Sequence, residues 1–406
     1  MGLNETPSAN RTHIAIFGKR NVGKSSLLNA IINQDLAVVS DQKGTTTDPV
    51  YKAMELLPLG PVMLIDTPGI DDKGELGALR IQKAKQVLHK SDIAILVMDA
   101  TEGKSPVEEA MLQLFQEKGI PYILVYNKAD LLEVQDNPND SCIFVSAKTG
   151  LQIEQLKEKI AKLAAAEDRK LQIVGDILNP GEFAVLVVPI DKSAPKGRLI
   201  LPQQQTLRDI LDAHGSAIVV KETEFSETLK RLGVSPKLVI TDSQVFHKIN
   251  AETPAEIPLT SFSILMARYK GVLKTAVQGA KSIDLLQDGD KVLISEGCTH
   301  HRQCEDIGTV KLPRWIKGYT NIDITFAFTS GTAFPKDVSD YRLIVHCGGC
   351  MLHDREMKYR QGFSTDSGIP FTNYGILIAY MQGILQRSVA MFPEILSEIK
   401  KTPAKN

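Results

Sequence analysis

Residues 18–25, GKRNVGKS, have the residue types and spacing of a phosphate-binding loop. Their glycines let backbone N–H groups turn toward phosphate oxygens, and the helix predicted to follow adds partial positive charge at its N-terminus. Lys24 would neutralise the β- and γ-phosphate oxygens, and the Ser25 hydroxyl would bind Mg²⁺. Alone, this segment predicts only a nucleoside triphosphate site. The candidate binding residues are Gly18, Asn21, Val22, Gly23, Lys24, Ser25 and Ser26.

Two later segments narrow the prediction to a guanine nucleotide. DTPG at residues 66–69 follows an apolar run, where Asp66 can hold the metal through water and the Gly69 N–H can sense the γ-phosphate. NKAD at residues 127–130 follows another apolar run, and Asp130 can accept two hydrogen bonds that guanine donates and adenine cannot. SAK at residues 146–148 completes the loop. The candidate base-binding residues are Asn127, Lys128, Asp130, Ser146, Ala147 and Lys148.

A switch segment is predicted between these motifs. GTTTD at residues 44–48 stands where a switch threonine is needed, and Thr46 is the predicted Mg²⁺ ligand. Ile70 occupies the position where signalling G proteins carry the glutamine that orients the attacking water, so we expect slow hydrolysis. Each segment could arise by chance, but five in this order at predicted strand ends argue against it. The predicted catalytic residues are Lys24, Thr46, Asp66 and Gly69.

Together these residues resemble the translation-factor-like GTPases, in particular the TrmE-Era-like branch of tRNA-modification and ribosome-assembly G proteins. In that branch an asparagine of the phosphate loop helps to bind a K⁺ ion, which neutralises the transition state in place of an arginine finger. Asn21 occupies the matching position. The resemblance therefore implies GTP hydrolysis that K⁺ stimulates.

Four of the five cysteines lie in the last third of the chain and predict a second site. HCGGC at residues 346–350 follows a predicted strand, so Cys347 and Cys350 would lie on one side of a tight turn near glycine N–H groups. Cys298 follows another predicted strand and could bring a third thiolate to the same sheet edge. Cys142 lies beside an apolar strand, and we interpret it as a core residue.

Four interpretations of the clustered thiols stay open at this point. A thioredoxin-like redox pair would need only Cys347 and Cys350. A structural zinc site could complete its tetrahedron with His300, His301 or His346. An iron–sulfur cluster would leave one iron with a weak or exchangeable ligand. The fourth interpretation is unrelated buried thiols, and residue chemistry alone does not separate zinc from iron–sulfur.

The whole arrangement resembles the [FeFe]-hydrogenase maturation GTPases (HydF type). That family places a G domain before a middle domain and a C-terminal Cys-x-His, which is followed some tens of residues later by His-Cys-x-x-Cys. Here these motifs are Cys298-Thr299-His300 and His346-Cys347-Gly348-Gly349-Cys350. The resemblance implies a GTPase scaffold or carrier in which Cys298, Cys347 and Cys350 bind a [4Fe–4S] cluster.

The resemblance also implies partners. A two-iron precursor would be assembled on the protein with help from two radical-SAM enzymes and delivered to apo-[FeFe]-hydrogenase, and the middle domain would form a homodimer. For the fourth iron ligand we name Glu305, His346, His300 and solvent, in that order, whereas Cys304 has no place in the motif. The alternative function is a ribosome- or tRNA-maturation GTPase with a zinc-stabilised C-terminal interaction domain.

Apolar runs that alternate with amphipathic segments indicate an α/β protein with mostly parallel sheets. We predict three domains: a P-loop GTPase fold over residues 1–170, then two smaller α/β domains, a dimerisation domain over 171–268 and a cluster-binding domain over 269–406. Asn373 is predicted to cap a helix, and the apolar stretch 374–392 is predicted to be one buried helix and not a membrane span.

Composition limits the remaining functions. The chain has 406 residues with 47 Lys and Arg against 48 Asp and Glu, a formal net charge of −1. Nucleic-acid and membrane-surface proteins usually carry a clear basic excess, so neither partner is expected. An odd number of cysteines argues against a disulfide framework. Because no secretory leader is visible, we expect a cytoplasmic protein.

Overall fold

The computed structural model describes residues 8–32, 49–70, 75–133, 141–167, 172–190, 199–298, 306–331 and 333–400. It divides into two compact units, Met1–Arg169 and Lys170–Asn406. The predicted α/β class with mostly parallel sheets is confirmed in both units. The proposed division of the second unit at residue 268 stays a prediction.

The first unit is built on one six-stranded sheet with the order β2-β3-β1-β4-β5-β6. Its described elements are β1 (Thr12–Phe17), α1 (Lys24–Ile32), β2 (Val50–Leu56), β3 (Gly60–Asp66), α2 (Glu75–Leu88), β4 (Ile93–Asp99), α3 (Pro106–Glu117), β5 (Tyr122–Asn127), β6 (Cys142–Phe144) and α4 (Ile153–Glu167). All strand pairs are parallel except β2 with β3.

Apolar cores cover both faces of this sheet. Along β1, Ile14 and Ile16 belong to one core, whereas Ala15 and Phe17 belong to the other. Successive strand residues point to opposite faces, so a strand buried on both faces reads as a continuous apolar run. Because β1 is buried on both faces, the residues before the phosphate loop form a continuous apolar run, and this run predicts the strand.

The second unit contains two four-stranded sheets, ordered β10-β9-β7-β8 and β12-β11-β13-β14, in which every pair is parallel. Elements of the first sheet are β7 (Phe183–Val187), α5 (Leu201–Asp212), β8 (Ser216–Val220), α6 (Phe225–Leu232), β9 (Leu238–Thr241), α7 (Phe246–Glu252), β10 (Leu259–Ser261) and α8 (Phe262–Tyr269). Elements of the second are α9 (Leu273–Ala280), β11 (Lys291–Ser295), α10 (Leu312–Thr320), β12 (Thr325–Thr329), β13 (Leu343–His346), α11 (Asp354–Asp366), β14 (Phe371–Asn373), α12 (Tyr374–Met381), α13 (Leu385–Ser388) and α14 (Pro393–Lys400).

One apolar core joins both sheets of this unit, with buried residues from Ile173 to Phe392. Helix α12 packs against α8, and the cap of α12 fixes this contact. Asn373 Oδ1 accepts a hydrogen bond from the Ile376 N–H at 2.8 Å, and its Nδ2 donates to Ser263 O at 2.9 Å. The predicted helix cap at Asn373 is therefore confirmed, and the same side chain also ties two helices together.

The apolar stretch 374–392 differs from its prediction. It forms two short helices, α12 and α13, because the chain turns at Gly383, whose φ of 71° lies in the left-handed region that glycine adopts without strain. Helix α12 is largely buried, and in α13 Leu385 and Ser388 are buried. Within the described ranges, no helix combines the length and apolar character needed to cross a bilayer.

Candidate functional site

The phosphate-binding loop lies between β1 and α1. Three of its residues have positive φ: Gly18 at 151°, Asn21 at 62° and Gly23 at 89°. A Cβ on Gly23 would lie 2.3 Å from Asn127 Nδ2, so only glycine allows the base-binding asparagine to approach the loop. Val22 is buried beneath the loop, whereas Asn21 and Ser26 are exposed.

Lys24, Ser25 and Asp66 form the centre of this site. The buried Lys24 side chain donates from Nζ to Gly18 O at 3.0 Å and to Lys19 O at 2.6 Å. Ser25 Oγ donates to Asp66 Oδ2 at 2.7 Å. The structure thus brings the predicted phosphate-binding lysine and two predicted metal-binding residues to the same end of the sheet.

Asp66 has the electrostatics of a cation site. Burial raises the pKa of its carboxyl above the usual 3.8, and the Ser25 hydroxyl and the Lys24 ammonium oppose that shift. Within the described part of the chain, Oδ1 of Asp66 is buried without a hydrogen-bond partner. An unsatisfied buried carboxylate oxygen is costly, and a hydrated Mg²⁺ would satisfy it.

The DTPG segment lies directly against the phosphate loop. A Cβ on Gly69 would lie 2.5 Å from Arg20 Cγ, and the Ile70 N–H donates to Gly18 O at 3.4 Å. Ile70 is 2% exposed and belongs to the apolar core of the first unit. Its side chain therefore offers no polar group to an attacking water.

Asn127 links the phosphate loop to the predicted base-binding loop. Its Nδ2 donates to Val22 O at 2.8 Å, and its Oδ1 accepts from the Ala147 N–H at 3.0 Å. Lys128 has a φ of 66°, and its Nζ donates to Asp99 Oδ2. This ion pair helps to lower the pKa of Asp99 against the effect of burial, which would raise it.

The remaining base-site residues lie around this link. Asp130 and Lys148 are exposed, as expected for groups that meet an entering base. Ser146 is buried, and its Oγ accepts from the Thr149 N–H at 3.1 Å, which holds the loop in a tight turn. The NKAD and SAK segments are thus brought together. Thr46, Glu305 and His300 lie outside the described residues, as do His301 and Cys304.

The cysteine loops meet because β11 and β13 are parallel neighbours, with Ser295 opposite His346. Each strand runs directly into a cysteine-bearing loop, and the Cys347 N–H donates to Ser295 O at 2.9 Å. The sulfur of Cys347 accepts hydrogen bonds from the Gly297 N–H at 3.0 Å and the Gly349 N–H at 3.4 Å. Backbone N–H groups aimed at a sulfur stabilise a thiolate.

Glycine is required in this turn. Gly349 has a φ of 63°, and a Cβ there would lie 2.5 Å from Met357 Sδ. A Cβ on Gly297 would lie 2.8 Å from Leu352 Cγ. Gly297 therefore lets the loop after β11 approach the segment that follows β13, and Gly349 lets the turn after β13 pack closely on α11.

The raised pKa values of the thiols argue against a reactive redox pair. Burial, together with the neighbouring Cys350 thiol, raises the pKa of Cys347 to about 12. Burial also raises the pKa of Cys350, against the opposing charge of Lys270. A thioredoxin-like pair needs a lowered thiol pKa, so these values argue against that interpretation. A soft metal ion would displace the protons and stabilise both thiolates.

The donor set fits an iron–sulfur cluster. Cys347 and Cys350 lie in one turn, and Cys298 follows the adjacent strand with its carbonyl accepting from the Gly331 N–H at 3.2 Å. Three thiolates can bind three irons of a cubane and leave the fourth open. Three thiolates with one further ligand also suit zinc, so geometry alone permits both.

Both ring nitrogens of His346 have hydrogen-bond partners within the protein. It has no exposed surface, its Nδ1 lies 2.9 Å from Cys347 O, and its Nε2 lies 3.1 Å from Arg360 Nη1. A carbonyl only accepts and a guanidinium only donates, so the ring is neutral with its proton on Nδ1. Burial, together with the Arg360 charge, lowers the His346 pKa to about 3.

Sequence reasoning missed two buried cations beside the cysteine loops. Lys270 is 1% exposed and donates from Nζ to Leu352 O at 2.8 Å, two residues beyond Cys350. Arg360 is fully buried on α11. Neither residue belongs to a motif, and no local signal marks either one, because their burial depends on how distant segments pack.

Three protein-family models match the chain. The hydrogen maturase F dimerization domain matches residues 173–271, and the hydrogen maturase F tetramerization domain matches residues 274–391. The 50S ribosome-binding GTPase model matches residues 13–128. The GTPase match confirms the predicted P-loop GTPase fold of the first unit.

Curated relatives support the GTPase assignment. GTPase Der of Kosmotoga olearia is 31% identical over 212 residues, which is 47% of this chain and 47% of that protein. The tRNA modification GTPase MnmE of Dechloromonas aromatica is 34% identical over 164 residues, 38% of this chain and 36% of that protein. The chain thus spans less than half the length of either relative.

Solved structures show only a general likeness. A crystal structure of Era in complex with MgGDPNP and a fragment of 16S ribosomal RNA has a TM-score of 0.34 at 22% identity, covering 52% of this chain and 91% of that one. The G domain of the Thermotoga maritima FeoB iron transporter has a TM-score of 0.29 at 23% identity, covering 38% and 99%.

Proposed function

The chain belongs to the hydrogen maturase F family, and on that premise we propose that it is a GTPase scaffold for hydrogenase maturation. It binds a [4Fe–4S] cluster, carries a two-iron precursor and delivers it to apo-[FeFe]-hydrogenase. One observation carries the proposal. Cys298 and Cys347 follow adjacent parallel strands inside the region that matches a maturase domain, in a chain that also has a GTP site.

Cys298, Cys347 and Cys350 hold the cluster in this proposal. The N–H groups of Gly297 and Gly349 stabilise the Cys347 thiolate. When bound, the cluster supplies an iron with an exchangeable fourth ligand, at which a precursor can attach. We keep Glu305 as the first candidate for that ligand, followed by His300 and solvent. Both ring nitrogens of His346 are engaged, which disfavours it.

The first unit binds GTP with Mg²⁺. Lys24 meets the β- and γ-phosphates, Ser25 and Thr46 bind the metal directly, and Asp66 binds it through water. Asn21 binds K⁺, whose charge replaces an arginine finger. Hydrolysis is slow because Ile70 cannot orient water. GTP binding and hydrolysis regulate the partner interactions and do not drive the cluster chemistry.

The proposal includes the assembly and its partners. Residues 1–170 form the G domain, residues 171–268 form the dimerisation domain, and residues 269–406 bind the cluster. The maturase matches support self-association. Two radical-SAM enzymes of the cytoplasm build the precursor on the dimer, and apo-[FeFe]-hydrogenase receives it.

Anaerobic purification of the full chain, followed by reconstitution with Fe²⁺ and sulfide, tests the cluster. We expect a brown protein whose visible absorption bleaches on reduction, and a Cys350→Ser variant that stays colourless. Cys142→Ala is the matched control, because Cys142 is a buried residue of the first unit and should leave the colour unchanged.

The same preparation tests the alternative function. A colourless wild-type protein with bound zinc would contradict the cluster proposal. It would favour a ribosome- or tRNA-maturation GTPase, a function supported by the 50S ribosome-binding GTPase match and by the relatives' names. Brown protein in which Cys350→Ser keeps full colour would contradict the ligand assignment.

A further inference from the structure

Among the described residues, Arg360 has the largest side chain that is fully buried. It lies on α11, and its Nε donates to Glu356 Oε1 one helical turn earlier at 2.9 Å. Its Cζ lies 5.1 Å from the centre of the Phe334 ring. Removing a guanidinium from water is costly unless its donors find partners, so the partners of Arg360 are informative.

The rest of the guanidinium reaches the segments that carry two of the cysteines. Nη1 lies 3.1 Å from His346 Nε2 and donates to Ser295 Oγ at 3.4 Å. Nη2 donates to Gly331 O at 2.8 Å. Ser295 ends β11, His346 ends β13, and Gly331 lies in the loop that follows β12. One rigid, planar group thus joins three adjacent strand ends.

Two of these partners are in turn bonded to the backbone of a cysteine. The Gly331 N–H donates to Cys298 O at 3.2 Å, so Arg360 holds the Cys298 backbone through a single residue. His346 Nδ1 lies 2.9 Å from Cys347 O, so Arg360 holds the Cys347 backbone through the imidazole.

We propose that Arg360 is a positioning residue for the cysteine site, whose guanidinium sets the separation of the loops bearing Cys298 and Cys347 without itself binding iron. This inference rests on the proposed cluster function. Arginine suits this role because the N–H donors of its planar guanidinium point in fixed directions. A lysine side chain keeps the charge, but it lacks this planar set of donors and extends less far. Partners that orient metal ligands typically affect metal retention.

Arg360→Lys in the full-length protein tests the proposal, with Arg342→Lys as the matched control. Arg342 lies in the same unit, is 66% exposed and contacts Asp290 at 3.6 Å. After anaerobic reconstitution, we expect Arg360→Lys to release iron to a chelator about tenfold faster than wild type. We also expect its reduced cluster to give an altered electron paramagnetic resonance signal, whereas the control matches wild type in both measurements.

A purely structural role gives a different result. A folded Arg360→Lys protein with a lower melting temperature but the wild-type resonance signal and release rate would overturn the inference. If that variant does not fold, Ser295→Ala replaces it, because it removes the oxygen that accepts from Arg360 Nη1. The same oxygen accepts from Thr329 Oγ1 at 2.9 Å, so Thr329→Val, which removes only that second bond, is its control. We expect iron release about twofold faster than in the control, and an equal rate would overturn the inference.

The outcomes also separate this inference from the proposed function. Wild-type protein that takes up no iron would contradict the cluster proposal itself. Wild-type protein that holds a cluster, together with a folded Arg360→Lys variant that holds it equally well, would contradict only the role of Arg360.

Discussion

Ser25 and Asp66 contact each other directly, with the serine hydroxyl donating to the carboxylate at 2.7 Å. They come from separate segments, the start of α1 and the end of β3. They meet because β1 and β3 are parallel neighbours with Ile16 opposite Asp66. Two of the side chains assigned to the proposed Mg²⁺ shell are therefore already together, beside the Lys24 ammonium.

Asp66→Asn should lower Mg²⁺-dependent GTP hydrolysis by about 100-fold, because the neutral amide no longer balances the metal charge. Phosphate release at saturating Mg²⁺ measures this effect. Nucleotide binding in EDTA should change little, since the phosphate loop is intact. Glu117→Gln, at the exposed end of α3, is the control. Hydrolysis that continues at the wild-type rate in Asp66→Asn would contradict the assignment.

Mg²⁺ binding should weaken as the pH falls, and it should do so at a higher pH than for an ordinary aspartate. Burial raises the Asp66 pKa above 3.8, so protons compete with the metal for this carboxylate earlier in an acid titration. Calorimetric titration with Mg²⁺ between pH 7.5 and pH 4.5 measures the dependence. An affinity that stays constant over that range would show that Asp66 does not face the metal.

Asp130→Asn should change the preferred base from guanine to xanthine. The exposed carboxylate accepts two hydrogen bonds from guanine, whereas an amide also donates one, and xanthine offers a carbonyl where guanine has an amino group. We expect affinity for GTP to fall by about 100-fold and affinity for XTP to rise. Competition with a fluorescent nucleotide measures both affinities. An equal loss for both nucleotides would indicate general damage to the loop.

K⁺ should accelerate GTP hydrolysis relative to Na⁺, and Asn21→Gly should abolish that difference. Glycine is the informative replacement because Asn21 has a φ of 62°, which glycine adopts without strain. The variant therefore removes only the side chain that would bind the ion. Rates in matched KCl and NaCl buffers provide the measurement. Equal rates for the wild-type protein would contradict the K⁺ site.

The sequence predicted best those elements whose signals are local. Strand β11, Lys291–Ser295, is a short apolar run that ends at a turn, and such a run predicts a buried strand. The phosphate loop was found because its function fixes residue types at fixed spacing. Strand β2, Val50–Leu56, was missed because it is an antiparallel edge strand with only one buried residue, so no apolar run marks it.

Helix bounds and long-range contacts were harder to predict. Helix α5 begins at Leu201, but the polar residues that follow Pro202 give its first turn no apolar pattern that would predict this start. Helix α11 begins at Asp354 because His353 caps it, and histidine is not among the usual capping residues that mark a helix start in a sequence. The buried position of Arg360 could not be predicted, because its partners at Ser295 and Gly331 lie far away in the sequence.

Activation of apo-[FeFe]-hydrogenase tests the central claim most directly. The protein is produced anaerobically with the two radical-SAM enzymes, purified and mixed with apo-hydrogenase, and hydrogen evolution is then measured. We expect wild-type protein to activate the hydrogenase and Cys350→Ser to fail, although the variant should hydrolyse GTP at the wild-type rate. Hydrogen evolution that is equal with Cys350→Ser, or equal without this chain, would contradict its role as the scaffold.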